Sequence, residues 1–277
     1  MNPSGRQTSS AQSDGVGPGA HTHVDVLGVK VSAINMQMAL STIDAWIRRN
    51  EHQYVCITGV HGVMECQRDH TLLEIHNRAG MVTPDGMPLV WIGRSMGETH
   101  VTRVYGPDLL LAVCQVSVRK GYRHFFYGGK AGVPDLLARR LKARFPGLSV
   151  AGTFSPPFRD LTLAEDAELI RAINDAAPDI VWVGLSTPKQ ERWMAAHIHQ
   201  LTAPVLVGVG AAFDFHAGLK RQAPTWMQRS GLEWFFRVIN EPIRLGPRYL
   251  LNNPLFVCRV AAAFLKARLS PRREGNN

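Results

Sequence analysis

DIVWVGLSTPKQERW, residues 179–193, is the stretch on which the fold turns. DIVWVGL (179–185) is a short apolar run rich in branched and aromatic side chains and reads as a buried strand. Thr187-Pro188-Lys189-Gln190-Glu191 then opens a helix predicted over 188–200, with threonine suited to the cap and proline to the first turn. The same unit recurs on either side. Downstream lies the strand PVLVGVG (204–210). Upstream, strand YRHFFYG (122–128), helix 132–145, strand 148–153 and helix 162–177 follow one another. Earlier still come strand YVCITGV (54–60), helix 63–79, a short strand at 80–82 running into a Thr-Pro-Asp-Gly turn, helix 87–96, and GPDLLLAVCQVSVRKG (106–121) with a helical start and a glycine stop. Short apolar strands separated by helices predict a parallel sheet covered on both faces. The fold class is therefore α/β, a Rossmann-like, mostly parallel sheet, placed in residues 24–236.

Composition sets the outer limits. The chain has 277 residues, 45% hydrophobic and 19% charged, as in a soluble globular protein with ample core. Cys56, Cys66, Cys114 and Cys258 are scattered without a C-x-x-C pair, which speaks against a disulfide framework or a zinc site. Residues 1–23 are rich in Gly, Ser and Gln and read as a disordered lead-in rather than a signal peptide. No run of 18 apolar residues is present, so no conventional membrane-spanning helix is expected.

The net charge of +9 is unevenly distributed. Residues 24–236 hold 22 basic and 19 acidic residues, whereas residues 237–273 hold eight basic residues against Glu241 alone. After Pro224 the sequence becomes helical, aromatic and arginine-bearing, with Pro242, Pro247 and Pro254 expected to cut it into short pieces. Residues 237–277 thus read as a helical basic appendage that seeks phosphate, on anionic lipid or nucleic acid. Packing on the core or an oligomer interface would suit the same residues, and a homo-oligomer stays open.

Three strands end in glycine, at Gly128-Gly129-Lys130, at Gly184 and at Gly208-Val209-Gly210. Ligands of parallel sheets bind outside the carboxyl ends of the strands, and glycine there lets backbone N–H groups approach a phosphate. A nucleotide or nucleotide-sugar is the ligand these loops suggest, with Lys189 and Gln190 facing it and Asp214 just beyond the third strand. GVGAAF (208–213) has Phe213 where a dinucleotide fingerprint needs its third glycine, and no G-x-x-x-x-G-K-[ST] loop occurs. No D-x-D pair offers itself for a metal–diphosphate, so no metal is expected, and arginine, lysine and backbone amides would carry the charge of a leaving diphosphate. Thr58 and His61 stand at the end of the first strong strand, and Arg103 just before the 106–121 helix. In MVTPDGMPLVW (81–91), Pro-Asp-Gly is good turn chemistry, so Asp85 by itself reads as a turn residue or as a carboxylate presented by one.

Taken together, TPDGMPLVW, RVYGPDLL (103–110), FFYGGKAGV (125–133), VWVGLSTPKQERWM (181–194), GVGAAFDFHAG (208–218) and APTWMQRSGLEWFFRVINEPIRLGPRYL (223–250) resemble the WecG/TagA/CpsF family, glycosyltransferase family 26. The resemblance covers about residues 25–256. It implies an inverting, metal-independent transfer of a sugar (of the N-acetylmannosamine type, or a related hexose or uronic acid) from a UDP-sugar, without a further cofactor, to a polyprenyl-diphosphate-linked saccharide. The setting it implies is bacterial exopolysaccharide or cell-envelope synthesis, peripherally on the cytoplasmic face of the inner membrane, with no nucleic-acid partner. By motif match Asp85 would be the general base, Thr58 and Arg103 would share its pocket, and Gln190 would be a polar contact to the donor. The family pattern has an asparagine two residues after the threonine; here that position is Val60, with His61 next. The rival readings are a nicotinamide-dependent oxidoreductase on a Rossmann-like sheet, weakened by Phe213, and a non-catalytic lipid or nucleic-acid adaptor acting through the tail.

Overall fold

The computed structural model describes residues 21–269. Its centre is a six-stranded sheet in the order β4 (Met81–Pro84), β3 (Gln53–Thr58), β8 (Val205–Gly208), β7 (Ile180–Gly184), β5 (Arg123–Gly128) and β6 (Ser149–Phe154), with every pairing parallel. The strands are apolar throughout because both faces are covered. In β7, Val181 and Val183 enter one core and Ile180 and Trp182 the other; in β8, Leu206 faces the first and Val205 and Val207 the second. Side chains that alternate faces along a strand buried on both sides give a continuous apolar run rather than an alternating one.

The helices divide between the two cores. Helix α2 (Val60–Cys66), α3 (His70–Arg78), α7 (Leu163–Ala176) and α8 (Lys189–His197) pack on the first, while α1 (Met36–Arg49), α5 (Gly106–Lys120), α6 (Val133–Arg144) and α9 (Ala212–His216) pack on the second. Adjacent strands β3 and β8 therefore send their chains to opposite faces, through α2 and α9. Such a switch opens a crevice at the carboxyl edge of the sheet, where α/β proteins bind ligands. Helix α4 (Met87–Ser95) follows β4 and borders it.

Four local differences from the sequence reading have physical causes. The helix expected over 63–79 is two helices, because the Asp69 carboxylate accepts the Leu72 N–H at 3.1 Å and starts α3 afresh. A hairpin of β1 (His23–Val26) and β2 (Val29–Ser32), followed by α1, was not anticipated; the turn is fixed by Asp25, which accepts the Gly28 N–H at 2.8 Å. Of the lead-in assigned to 1–23, residues 1–20 lie outside the described residues and His23 already belongs to β1. Thr187 does not cap α8: the cap position is Pro188, and the threonine hydroxyl donates to Glu191.

The C-terminal part differs most. After α10 (Thr225–Arg229) and α11 (Glu233–Asn240), which runs across residue 236, a single helix α12 spans Pro242–Leu269 with Pro247 and Pro254 inside it. Each internal proline removes one helical hydrogen bond, freeing the carbonyls of Ile243 and Leu250. Those residues are 94% and 66% exposed, so water can satisfy the freed groups and the helix continues. Its other side is anchored. Leu245, Asn252 and Phe256 are buried, and Asn252 accepts a hydrogen bond from Arg68 of the α2–α3 turn at 2.6 Å.

Candidate active site

The crevice at the carboxyl edge is a cleft of about 2500 Å³. The glycine-ended strands form its floor. Gly128 has φ +122°, and a Cβ there would stand 2.7 Å from the Gly184 backbone; a Cβ on Gly184 would in turn stand 2.8 Å from the Phe213 ring. Phe213 is buried against these strand ends, so the position that would carry the third glycine of a dinucleotide loop is filled by an aromatic ring. Gly129, Lys130, Gly184, Gly208 and Gly210 line the cleft, whereas Gly128 lies just beneath its surface.

Asp85 stands where β4 ends. Its N–H donates to the Thr58 carbonyl at 2.9 Å, and Gly59 lies so close that a Cβ would be 2.6 Å from the Asp85 carbonyl oxygen. Gly86, at φ +112°, then turns the chain into α4. The turn chemistry of Pro-Asp-Gly is real, and it presents the carboxylate to the cleft. The Asp85 side chain retains 26% exposure there, and Arg103 Nη2 stands 3.4 Å from its Oδ1. Burial pushes the Asp85 carboxyl up to about 6; Arg103 and Arg237 pull against this shift, and Glu233 adds to it.

Arg103 is shared rather than committed. It pairs with Glu233 of α11, donates to Gln228 of α10 at 3.2 Å, and lies 3.9 Å over the Tyr105 ring. The Tyr105 hydroxyl donates to the other Glu233 oxygen at 3.0 Å. Burial disfavours the charged guanidinium, yet Asp85 and Glu233 outweigh it and raise the Arg103 pKa.

A second polar cluster sits under the glycines. Gln190 and Glu191 are buried, and Glu191 Oε1 accepts from Thr187 at 2.8 Å and from Gln190 Nε2 at 3.0 Å. This fixes the Gln190 amide beside Gly208 and Gly210 with its Oε1 unpartnered among the described residues; a Cβ on Gly208 would stand 2.8 Å from Met194 and 3.1 Å from the Gln190 Nε2. The Thr58 hydroxyl is likewise buried and unpartnered, one layer below the cleft wall made by Gly59, Val60 and His61. Buried polar atoms without partners are uncommon in folded proteins.

The remaining predicted residues are less central. Lys189 lines the cleft but is 73% exposed and 3.9 Å from Asp160. Asp214 lies at the rim, paired with Lys220 at 3.3 Å. His61 Nδ1 is 3.3 Å from the Asn252 amide nitrogen of α12.

Sequence reasoning did not place Tyr105, Glu191, Gln228 or Glu233 in the site, and it read Arg237 and Arg248 only as members of the basic, phosphate-seeking tail. Arg237 and Arg248 reach the cleft from α11 and α12; among the described residues the Arg237 side chain makes no hydrogen bond or ion pair, and Arg248 Nε is buried without a hydrogen-bond partner. The available signal was a pair of acids, Glu233 and Glu241, inside an otherwise basic and aromatic segment.

Comparison with known proteins identifies relatives of the whole chain. The model of the "Glycosyl transferase WecG/TagA/CpsF family" matches residues 24–270. The N-acetylglucosaminyldiphosphoundecaprenol N-acetyl-beta-D-mannosaminyltransferase of Bacillus subtilis (strain 168) is 30% identical over 190 residues, 67% of this chain and 72% of the relative. The protein of the same name from Staphylococcus aureus (strain MW2) is 26% identical over 242 residues, 87% of this chain and 92% of the relative.

Proposed function

Because the chain belongs to the WecG/TagA/CpsF family of glycosyl transferases, we propose that it moves a sugar of the N-acetylmannosamine type from a UDP-sugar to a polyprenyl-diphosphate-linked saccharide, inverting the anomeric centre. The observation that carries this reading is the Asp85 carboxylate, held in a large cleft beside Arg103 with its pKa near 6. An acceptor hydroxyl attacking the anomeric carbon must give up its proton as the new C–O bond forms. A carboxylate with a pKa near 6 is ionised at neutral pH and is a better acceptor than an ordinary aspartate. The bond from the anomeric carbon to the diphosphate breaks on the opposite face, and UDP leaves with the electron pair.

The floor and roof of the cleft suit the two substrates. The glycine-ended loops at Gly129, Gly184 and Gly210 would let the donor diphosphate come close to the backbone, although the Gly129 and Gly210 N–H groups are themselves donated to the Gly184 and Val183 carbonyls, and the buried Gln190 Oε1 would accept from a donor hydroxyl. Lys130, Arg237 and Arg248 supply positive charge for the leaving group, so the reaction is proposed to need no metal. A cleft of about 2500 Å³ exceeds the roughly 300–1,000 Å³ of ordinary small-molecule sites and has room for donor and acceptor head together.

No helix among the described residues is long and apolar enough to cross a membrane. A polyprenyl acceptor stays in the bilayer, and α12 offers a way to reach it, with Leu250, Val257 and Leu265 exposed among basic residues. Calorimetry is expected to show UDP binding in the presence of EDTA and no comparable binding of NAD(H), with transfer equally insensitive to the chelator. A strict metal requirement, or NAD(H) binding in place of UDP, contradicts the proposal.

A further inference from the structure

Arg103 carries more hydrogen-bonding capacity than it spends on Asp85. Its Nη2 is 3.4 Å from Asp85 Oδ1, a long contact, while the same nitrogen pairs closely with Glu233. Its Nη1 donates to Gln228, and its Nε is buried without a partner. The fork that would grip a carboxylate with two parallel bonds is thus turned toward α10 and α11. The Tyr105 ring beneath the guanidinium holds its plane, and the Tyr105 hydroxyl fixes the second Glu233 oxygen.

We propose that Glu233 is a positioning residue for the proton transfer: by engaging Arg103 it keeps that guanidinium from closing on Asp85, so that α11 sets the strength of the base. This rests on the reading of Asp85 as the base. It ties the chemistry to docking of the C-terminal helices, because only with α11 in place does Asp85 face a restrained arginine.

The charges around Asp85 give the direction of the effect. Arg103 and Tyr105 face it from the segment before α5, and Glu233 and Arg237 from α11. Asp108 of α5 lies on the Arg103 side; α4, α10 and β3 contribute the neutral Met87, Gln228 and Thr58. His61 of α2 is turned to Glu65 and Asn252. A bidentate arginine lowers a neighbouring carboxylate by about 1–3 pH units. Glu233→Gln removes one negative charge from beside Asp85 and releases Arg103 toward it, and both changes lower the Asp85 pKa.

The test is the pH profile of kcat/KM. Asp85 must be ionised to accept the proton, so the rate falls as pH drops through its pKa, about 6 in the natural chain. In E233Q this acid limb is expected to move down by about one pH unit. At pH 5 the fraction of the plateau rate then rises from about a tenth to about a half, while the plateau itself falls because the base is weaker. Glu233→Asp keeps the charge and should restore the limb toward its original position. Gln228→Glu adds a second carboxylate on Arg103 and should move the limb upward, which keeps the test available should E233Q lose its thermal unfolding transition. An unmoved limb in the folded variants, with Asp85→Asn inactive, overturns the role of Glu233 and leaves the base assignment standing. An active Asp85→Asn removes the base assignment and this inference with it.

Discussion

Asp85→Asn is expected to abolish sugar transfer, lowering kcat by about 10²–10⁴-fold, while UDP binding and folding stay near normal. The substitution keeps the shape of the side chain and removes only the capacity to take a proton. The backbone bond from residue 85 to the Thr58 carbonyl at 2.9 Å is untouched, as is Gly86, which turns the chain into α4. The electrostatic loss is small, since the Arg103 contact is 3.4 Å long and Arg103 keeps Glu233 and Gln228. Stability should not fall at neutral pH. A carboxyl whose pKa is raised in the folded state is held less comfortably as an anion there than in the unfolded chain, so its neutral replacement removes a mild strain. The same shift gives the sign of the natural enzyme's pH dependence: activity is present above about pH 6 and is lost below it. Unchanged turnover in the variant contradicts the role given to Asp85.

The second large effect is expected at the membrane. Replacing Leu250, Val257 and Leu265 by serine and Arg259 and Lys266 by glutamate should release the protein from anionic vesicles. Basic side chains near such a surface contribute about 1 kcal/mol each, so the two charge reversals alone weaken binding by roughly 30-fold or more. All five residues are exposed, and Arg259 makes only a 3.3 Å contact with Gln67, so the fold should persist. Truncation after residue 237 should release the protein as well, but it also strips Leu245, Asn252 and Phe256 from the packed side of α12 and would confound attachment with unfolding. Transfer to a short-chain, water-soluble acceptor should survive Leu265→Ser, Arg259→Glu and Lys266→Glu, none of which lines the cleft, whereas Leu250 and Val257 also border it. Co-sedimentation of the five-fold variant with vesicles as before contradicts the anchoring role of α12.

The sheet was legible in the sequence because its strands are buried on both faces and bounded by glycine, as at DIVWVGL and PVLVGVG. The hairpin at residues 23–32 passed unread although VDVLGVKV alternates around a Leu-Gly turn, a short-range signal weaker than the apolar runs that follow. Pro247 and Pro254 misled because the cost of an internal proline depends on whether the freed carbonyl meets water, and that is settled by which side of α12 packs on α2. Asp85 and Arg103 were reachable through the family motifs, and Gln190 through its place in TPKQE. Glu233 and Arg237 were not, because their meeting with Asp85 is made by α11 folding back over a strand end almost 150 residues earlier in the chain, and Arg248 reaches the cleft only through the docking of α12. No local pattern records such a contact.

We propose that this cleft transfers a sugar from UDP to a lipid-linked acceptor. It is tested most directly by measuring UDP release across a panel of UDP-sugars, with and without a short polyprenyl-diphosphate N-acetylglucosamine acceptor. The predicted result is release that depends on the acceptor, is fastest with UDP-N-acetylmannosamine, and disappears in Asp85→Asn. UDP release from no member of the panel, or release at the same rate in the variant, would contradict it.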